Sequence, residues 1–250
     1  MQSARALLLG VVQGVTEVLP VSSSAHLALL PQLLRWPPAP GRTTLAAGLH
    51  AGSCAGTLLA LRRDLPDVRT AALAAATSVP AAVAGLLAAD VVEQRLGRPA
   101  QLAALQALAA LALGAADRRP QVRDVGPREA ALAALAQVAA LAPGVSRSGA
   151  ALSALRAAGV RREAAQRFSL LMSLPVSAGA AGLTLVRADR VLLEALARPL
   201  AAGAPAAAVS GFAAVRWSAR RGDRPLAAYA LYRLVLAAGV AFSSRRRGRT

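Results

Sequence analysis

The chain has 250 residues, of which 56% are hydrophobic, 16% charged and 3% aromatic. With a mean hydropathy of +0.47, that composition excludes a disordered chain, a collagen-like repeat and a small disulfide scaffold. The formal net charge of +17 rests on arginine alone, since the sequence has no lysine, and no basic stretch interleaved with aromatics is present to bind nucleic acid.

In chain order the charges leave long gaps at 43–61, 70–89, 99–116, 130–146, 168–186 and 199–215, and 225–244 carries only Arg233. Each uncharged gap is about 17–20 residues, roughly the helix needed to cross a ~30 Å hydrocarbon layer. None shows the polar stripe of a soluble amphipathic helix. An alanine-rich soluble bundle is the alternative, but several uncharged segments in a row are hard to bury in so small a domain. The sequence therefore predicts an all-α, polytopic membrane protein.

Its arginines gather in connections, at Arg62 and Arg63, 118–128, Arg161 and Arg162, and 216–224, alternating with the poorer 90–98 and 187–199. The positive-inside rule makes the first set cytoplasmic. The arginine-rich tail at 245–249 then falls on the opposite side, against the rule. The apolar run from Ala6 is not expected to be a cleaved signal, because Glu17 interrupts it. Cys54 is the single cysteine, so no intramolecular disulfide can form, and it reads as a small packing residue.

Two stretches break the apolar pattern with polar groups at membrane depth. The first runs from Gln13 through Glu17, Pro20, Ser22, Ser23 and Ser24 to His26; the second runs from Gln137 through Pro143, Gly144, Ser146, Arg147 and Ser148 to Gly149. Each is an apolar helix with an internal Gln, then Pro, then a Ser cluster, and they begin about half a chain apart. Spans expected at 45–61, 70–89 and 99–116 follow the first, and 164–186, 199–215 and 226–243 follow the second. Three spans per half would invert the second repeat (about 119–250) relative to the first (about 1–118) within a single membrane domain. Broken backbone is tolerated at that depth only where it lines a cavity or is buried. Both turns are therefore expected to be re-entrant and to meet.

Together the turns supply a carboxylate, an imidazole, several hydroxyls and a guanidinium. Ionisable groups inside a membrane are costly and are functional by default. The planar fork of Arg147 suits two phosphate oxygens, and the helix opening at Ser148 and Gly149 would add N–H groups for an anion. A serine as nucleophile, His26 as acid/base, Glu17 as orienter or metal ligand and Arg147 on the equatorial oxygens make the inventory for attack on phosphorus. Spacing does not choose among Ser22, Ser23 and Ser24. Ser24 reads as bonding a carbonyl one turn back, His50 as a helix–helix hydrogen bond, and Arg233 as an ion pair or a site residue alike. Gly48-x-x-x-Gly52-x-x-x-Gly56 and Gly179-x-x-Gly182 read as close helix packing.

The two long motifs, with Leu49-His50, Gly56-Thr57, 168–175 and Tyr232-Arg233, resemble the signatures of bacterial undecaprenyl-diphosphatase, the bacitracin-resistance family, over nearly the whole chain. The resemblance implies an inner-membrane enzyme with six spans and two re-entrant helix pairs, its site open to the extracytoplasmic face. It would hydrolyse the C55 polyprenyl diphosphate to the monophosphate and inorganic phosphate, recycling the lipid carrier for peptidoglycan. By motif, Glu17 falls on the essential acid, Ser23 on the nucleophile, His26 on the acid/base and Arg147 on the phosphate-binding arginine. Gln13, Ser22, Gly144, Ser146 and Ser148 stand at substrate-binding positions. The resemblance also implies Ca²⁺ or Mg²⁺, with Glu17 as a ligand. Two departures stand out: Gln13 replaces a frequent Glu, and Ala151 replaces the usual Thr. A lipid-carrier flippase is the competing expectation, since inverted repeats are also transporter architecture. The oligomeric state stays open, a homodimer among the expectations.

Overall fold

A computed structural model describes residues 2–38, 40–63, 66–96, 98–118, 122–220 and 225–247, with the side chains at 89, 90, 93, 94, 99 and 243–247 excepted. The arginines of the tail at 245–249, and those at 119, 221 and 224, lie outside the described side chains. Two helix–turn–helix pairs open the two halves of the chain: α1 (Gln2–Val18) with α2 (Ser23–Leu33), and α7 (Pro127–Ala139) with α8 (Arg147–Ala157). The first pair is followed by α3 (Arg42–Leu61), α4 (Val68–Ala76), α5 (Ser78–Leu96) and α6 (Pro99–Ala116). The second is followed by α9 (Arg162–Arg187), α10 (Arg190–Ala219) and α11 (Ala227–Arg247). No strand occurs among the described residues.

Four helical stretches, Arg42–Leu61, Val68–Ala88, Arg162–Arg187 and Arg190–Ala219, are long and apolar enough to cross a membrane, and Ala100–Ala116 and Ala227–Phe242 are shorter apolar helices. The outer faces are apolar: Leu86 is 69% exposed, Leu87 80% and Leu135 66%. Large aliphatic side chains turned outward on so many helices fit a hydrocarbon solvent and not water. This is an all-α, multi-pass membrane protein.

Without a hydrophobic driving force between helices in lipid, close packing depends on small residues. Gly52 and Gly56 of α3 sit against the carbonyls of Ala204 and Ala208 on α10, where any Cβ would collide. Gly10 and Gly14 of α1 meet the Gly203 and Ala207 carbonyls of the same helix. Thus α10 is the spine on which α1 and α3 lie, while α3 also packs on α9, and α6 on α11. The second expected pair does not behave this way: Gly179 and Gly182 face open space, with no atom within 4 Å of a Cβ built there. Their spacing has the same small-residue character, but among the described residues no helix packs closely on them.

One span boundary differs from expectation, and the expected 70–89 span, seen at Val68–Ala88, is broken within. The 70–89 segment is interrupted at Thr77, whose hydroxyl donates to the Ala74 carbonyl at 2.6 Å, just before Pro80 deletes a helical donor. At this break the Thr77 carbonyl accepts from Gln137 Nε2 at 3.3 Å. The 199–215 span begins nine residues early, at Arg190, because Asp189 caps it by accepting from Val191 N at 2.7 Å. Pro199 and Pro205 then fall inside the helix.

A second polar centre sits at the end of α6. Asp117 accepts from Arg156 Nε and Arg162 Nε, each at 2.8 Å, and from Leu226 N at 2.9 Å, tying α6 to α8, α9 and the start of α11. Arg156 is fully buried and also donates to the Val160 carbonyl. Burial of the Asp117 carboxyl would raise its pKa, but the hydrogen bonds from Arg162, Leu226 N and Arg156 win and hold it below the usual carboxylate value.

Two predictions follow from this packing, both read from thermal unfolding in detergent. Gly52→Val should destabilise by about 1–3 kcal/mol through overpacking, whereas Gly182→Ala should be neutral or stabilise by up to about 1 kcal/mol through helix propensity. Asp117→Asn leaves the Arg156 charge buried without its anion and should cost about 3–5 kcal/mol. Because the folded-state pKa of Asp117 is depressed, its contribution is complete above the unfolded carboxylate value of about 3.9 and declines as pH falls below it. The unfolding temperature of the wild type should therefore fall in that acid range, and that of Asp117→Asn should follow pH less steeply there.

Candidate active site

The two turns meet. Glu17 lies in the last turn of α1, and Pro20 follows, with no N–H to continue the helix. The chain reverses through Ser22, whose φ of 73° places a non-glycine residue in the left-handed region. Strained backbone of this kind concentrates at functional sites. The second turn reverses at Gly144, whose φ is 92°.

Glu17 is the hub. Its Oε1 accepts from Arg147 Nη2 at 2.6 Å and from Ser177 Oγ at 3.0 Å. Its Oε2 accepts from Ser23 Oγ at 2.7 Å and from Gln13 Nε2 at 3.1 Å. His50 Nδ1 stands 3.4 Å from the same oxygen and 2.8 Å from Gln13 Nε2. A further tie between the turns runs from Ser148 Oγ to the Leu19 carbonyl at 3.3 Å. Glu17, Ser23 and Arg147, far apart in the chain, are thus within one hydrogen-bonded cluster.

The cluster opens on a cavity of about 470 Å³. Glu17, Ser22, Ser23, Ser24, His50 and Arg147 line it, and Gly144, Ser146 and Ser148 extend the wall. Gln13 is fully buried behind Glu17 and does not line it. His26 is also off the wall, with Nδ1 at 2.7 Å from the Ser22 carbonyl and Nε2 at 2.6 Å from the Tyr232 hydroxyl. A carbonyl only accepts, so Nδ1 carries the proton and Nε2 accepts from Tyr232. The two rings stack with centroids 5.6 Å apart and planes within 6°. The Ser23 hydroxyl therefore donates to Glu17, and His26 is not its partner.

The expected anion site at the start of α8 is partly closed, because Ser146 Oγ accepts from Gly149 N at 3.2 Å. The opening of α2 is different: Ser22 gives it no side-chain cap, and Ser22 to Ser24 face the cavity. Free N–H groups at a helix start favour an anion, so the first turn offers that feature more openly than the second. Two participants, Ser177 and Ser173, went unsingled by spacing, while the helix–helix hydrogen bond expected of His50 is present, to Gln13. Ser177 sits two residues after Pro175 in α9, and Ser173 lines the cavity from α9.

The donor set does not fit a resident Ca²⁺ or Mg²⁺. Hard divalent ions take several oxygen ligands, usually with more than one carboxylate. Glu17 is the single acid in the wall, both its oxygens already accept from other donors, and no group of three or more His, Cys, Asp or Glu gathers among the described residues.

Fold and site define a multi-pass membrane protein whose ionisable residues are gathered by two facing turns. The chain belongs to the family described as Bacitracin resistance protein BacA, whose profile matches residues 6–239. It is similar to the undecaprenyl-diphosphatase of Pelobacter propionicus, with 36% identity covering 96% of both chains. The undecaprenyl-diphosphatase of Rubrobacter xylanophilus is 39% identical, over 95% of this chain and 96% of its own. That of Geobacter sulfurreducens is 38% identical over 94% of each.

Glu17→Gln removes the anion that Arg147 meets across the turns. The guanidinium keeps some access to the cavity, so the expected loss is about 1–3 kcal/mol, measured as a lower unfolding temperature in detergent.

Proposed function

We propose that the chain hydrolyses undecaprenyl diphosphate to the monophosphate and inorganic phosphate, returning the carrier lipid to peptidoglycan synthesis and so conferring bacitracin resistance. The single observation that carries the reading is the Ser23 hydroxyl donating to Glu17 while Arg147 holds the same carboxylate at 2.6 Å. A hydroxyl, its proton acceptor and a phosphate-binding fork share one cavity. Carriage of a phosphate headgroup needs the fork but not the hydroxyl with its acceptor, so the pairing favours hydrolysis over flipping.

In the proposed reaction the terminal phosphate enters the cavity and replaces Glu17 as the anion facing Arg147. Glu17, released from the guanidinium, takes the Ser23 proton as Oγ attacks the terminal phosphorus. The Oγ–P bond forms as the bridging P–O bond breaks, and polyprenyl monophosphate leaves. Arg147 and the open N-terminus of α2 carry the charge on the transferred group, a largely electrostatic task. Water then cleaves the Oγ–P bond: its hydroxyl joins the phosphorus as inorganic phosphate, its other proton goes to Ser23 Oγ, and the proton held by Glu17 leaves to solvent, restoring the carboxylate that faces Arg147. His26 shapes the first turn through the Ser22 carbonyl and is itself held by the Tyr232 hydroxyl.

The same reading makes the two halves, about 1–118 and 119–250, inverted repeats. Its support is the order of elements and the packing of equivalent helices on each other, α3 on α9 and α6 on α11. It places the protein in the cell's inner membrane, with the arginine-rich connections cytoplasmic and the cavity open to the outside.

Purified protein should release phosphate from a polyprenyl diphosphate in detergent. Ser23→Ala should lower kcat by about a thousandfold or more, as loss of a nucleophile does, while Ser24→Ala stays within about threefold. Arg147→Lys should lose at least about tenfold, roughly 1.4 kcal/mol of transition-state stabilisation. Full hydrolysis by Ser23→Ala would overturn the assignment of the nucleophile.

A further inference from the structure

Arg233 is fully buried in the second turn of α11. Among the described residues no carboxylate pairs with it, which is an unusual condition for a guanidinium inside a membrane. Its fork is spent on backbone instead. Nη2 donates to the Gly144 carbonyl at 3.0 Å, and Nη1 points to the Pro20 carbonyl at 3.5 Å. Those two oxygens belong to the two turns, one at each reversal. Nε is buried and has no hydrogen-bond partner.

The chemistry of the acceptors explains how the charge is tolerated. Pro20 follows the C-terminus of α1, and Gly144 follows that of α7. Both carbonyls lie in the turns beyond the last helical residues, and as backbone acceptors they meet the guanidinium where a carboxylate would otherwise stand. The second turn also makes room for it. A Cβ at Gly149 would collide with Arg233 Nη1, so glycine at that position lets the guanidinium reach between the turns.

We propose that Arg233 is a positioning residue: one planar guanidinium, reaching in from α11, fastens the Glu17–Ser23 turn to the Arg147 turn at the separation the reaction needs. It does not line the cavity, so it acts through the groups that do. A lysine is a point charge on a flexible stem and cannot hold two carbonyls in fixed directions. This inference rests on the hydrolytic reading and adds the element that holds its two halves in register.

The test compares full-length wild type, Arg233→Lys, Arg233→Met and Gly149→Ala in detergent, by phosphate release from a polyprenyl diphosphate and by thermal unfolding. Arg233→Lys should keep the buried charge and unfold close to wild type, yet lose about tenfold or more in kcat with KM within about threefold. Gly149→Ala keeps the arginine but pushes on it, and should lose kcat in the same way; it decides alone should the Arg233 variants not give monodisperse protein. A role limited to charge balance predicts that Arg233→Lys turns over within about twofold of wild type, and that result would overturn the proposal. So would a loss carried by KM alone, which would make Arg233 a direct substrate contact. A wild type that releases no phosphate overturns the hydrolytic reading instead, and active wild type with active Arg233 and Gly149 variants overturns this one.

Discussion

The contact between Glu17 and Arg147, residues 130 positions apart, is the interaction on which the rest of the site depends. In a hydrocarbon surrounding, an unpaired charge is expensive, and breaking a buried pair by removing one member costs more than forming it gains. Each ion therefore offsets the cost of burying the other at that depth. The pair also closes the distance between two turns that no segment of chain joins directly. Ser23, Ser177 and Gln13 then fill the remaining directions around the carboxylate, so the cluster has a single arrangement. A phosphate entering the cavity must outcompete Glu17 for the guanidinium. The resting ion pair thus doubles as a selectivity device: a ligand without negative charge offers Arg147 nothing in exchange.

Backbone carries much of the remaining polarity. Pro20 and the left-handed Ser22 and Gly144 end two helices inside the protein, which exposes carbonyls that water cannot reach. Arg233 and Ser148 take up some of those carbonyls and so turn a liability of broken helices into a link between them. On the other side of α1, Gly10 and Gly14 let the helix settle directly on α10. Glu17 is consequently held from two sides, by close backbone packing behind and by charge in front.

Much of this was legible before any coordinates. Gaps between charges locate the spans because the hydrocarbon core excludes arginine and glutamate wherever they lack a partner. The polar motifs stand out for the same reason. What failed to show was directional. Spacing says that Gly52 and Gly179 are both small but not which one faces a neighbour, and it was α10 that supplied the neighbour for the first alone. The early start of α10 went unread because Arg190, Glu194 and Arg198 end the uncharged gap at 199, whereas the helix runs on past them to the Asp189 cap. Ser177 and His50 approach Glu17 from helices whose rotation the sequence does not state. His26 is the instructive case: three residues from Ser23, it points to Tyr232, and the hydroxyl turns to Glu17.

The Asp117 centre bears on how the protein is made. Arg156 and Arg162 are synthesised 39 and 45 residues after the carboxylate they bind, and Leu226 comes 109 residues after it. Until then the end of α6 carries an anion with no protein partner, best left in water at the bilayer surface. The three helices α8, α9 and α11 thus meet at an anchor whose carboxylate precedes all of its partners in the chain.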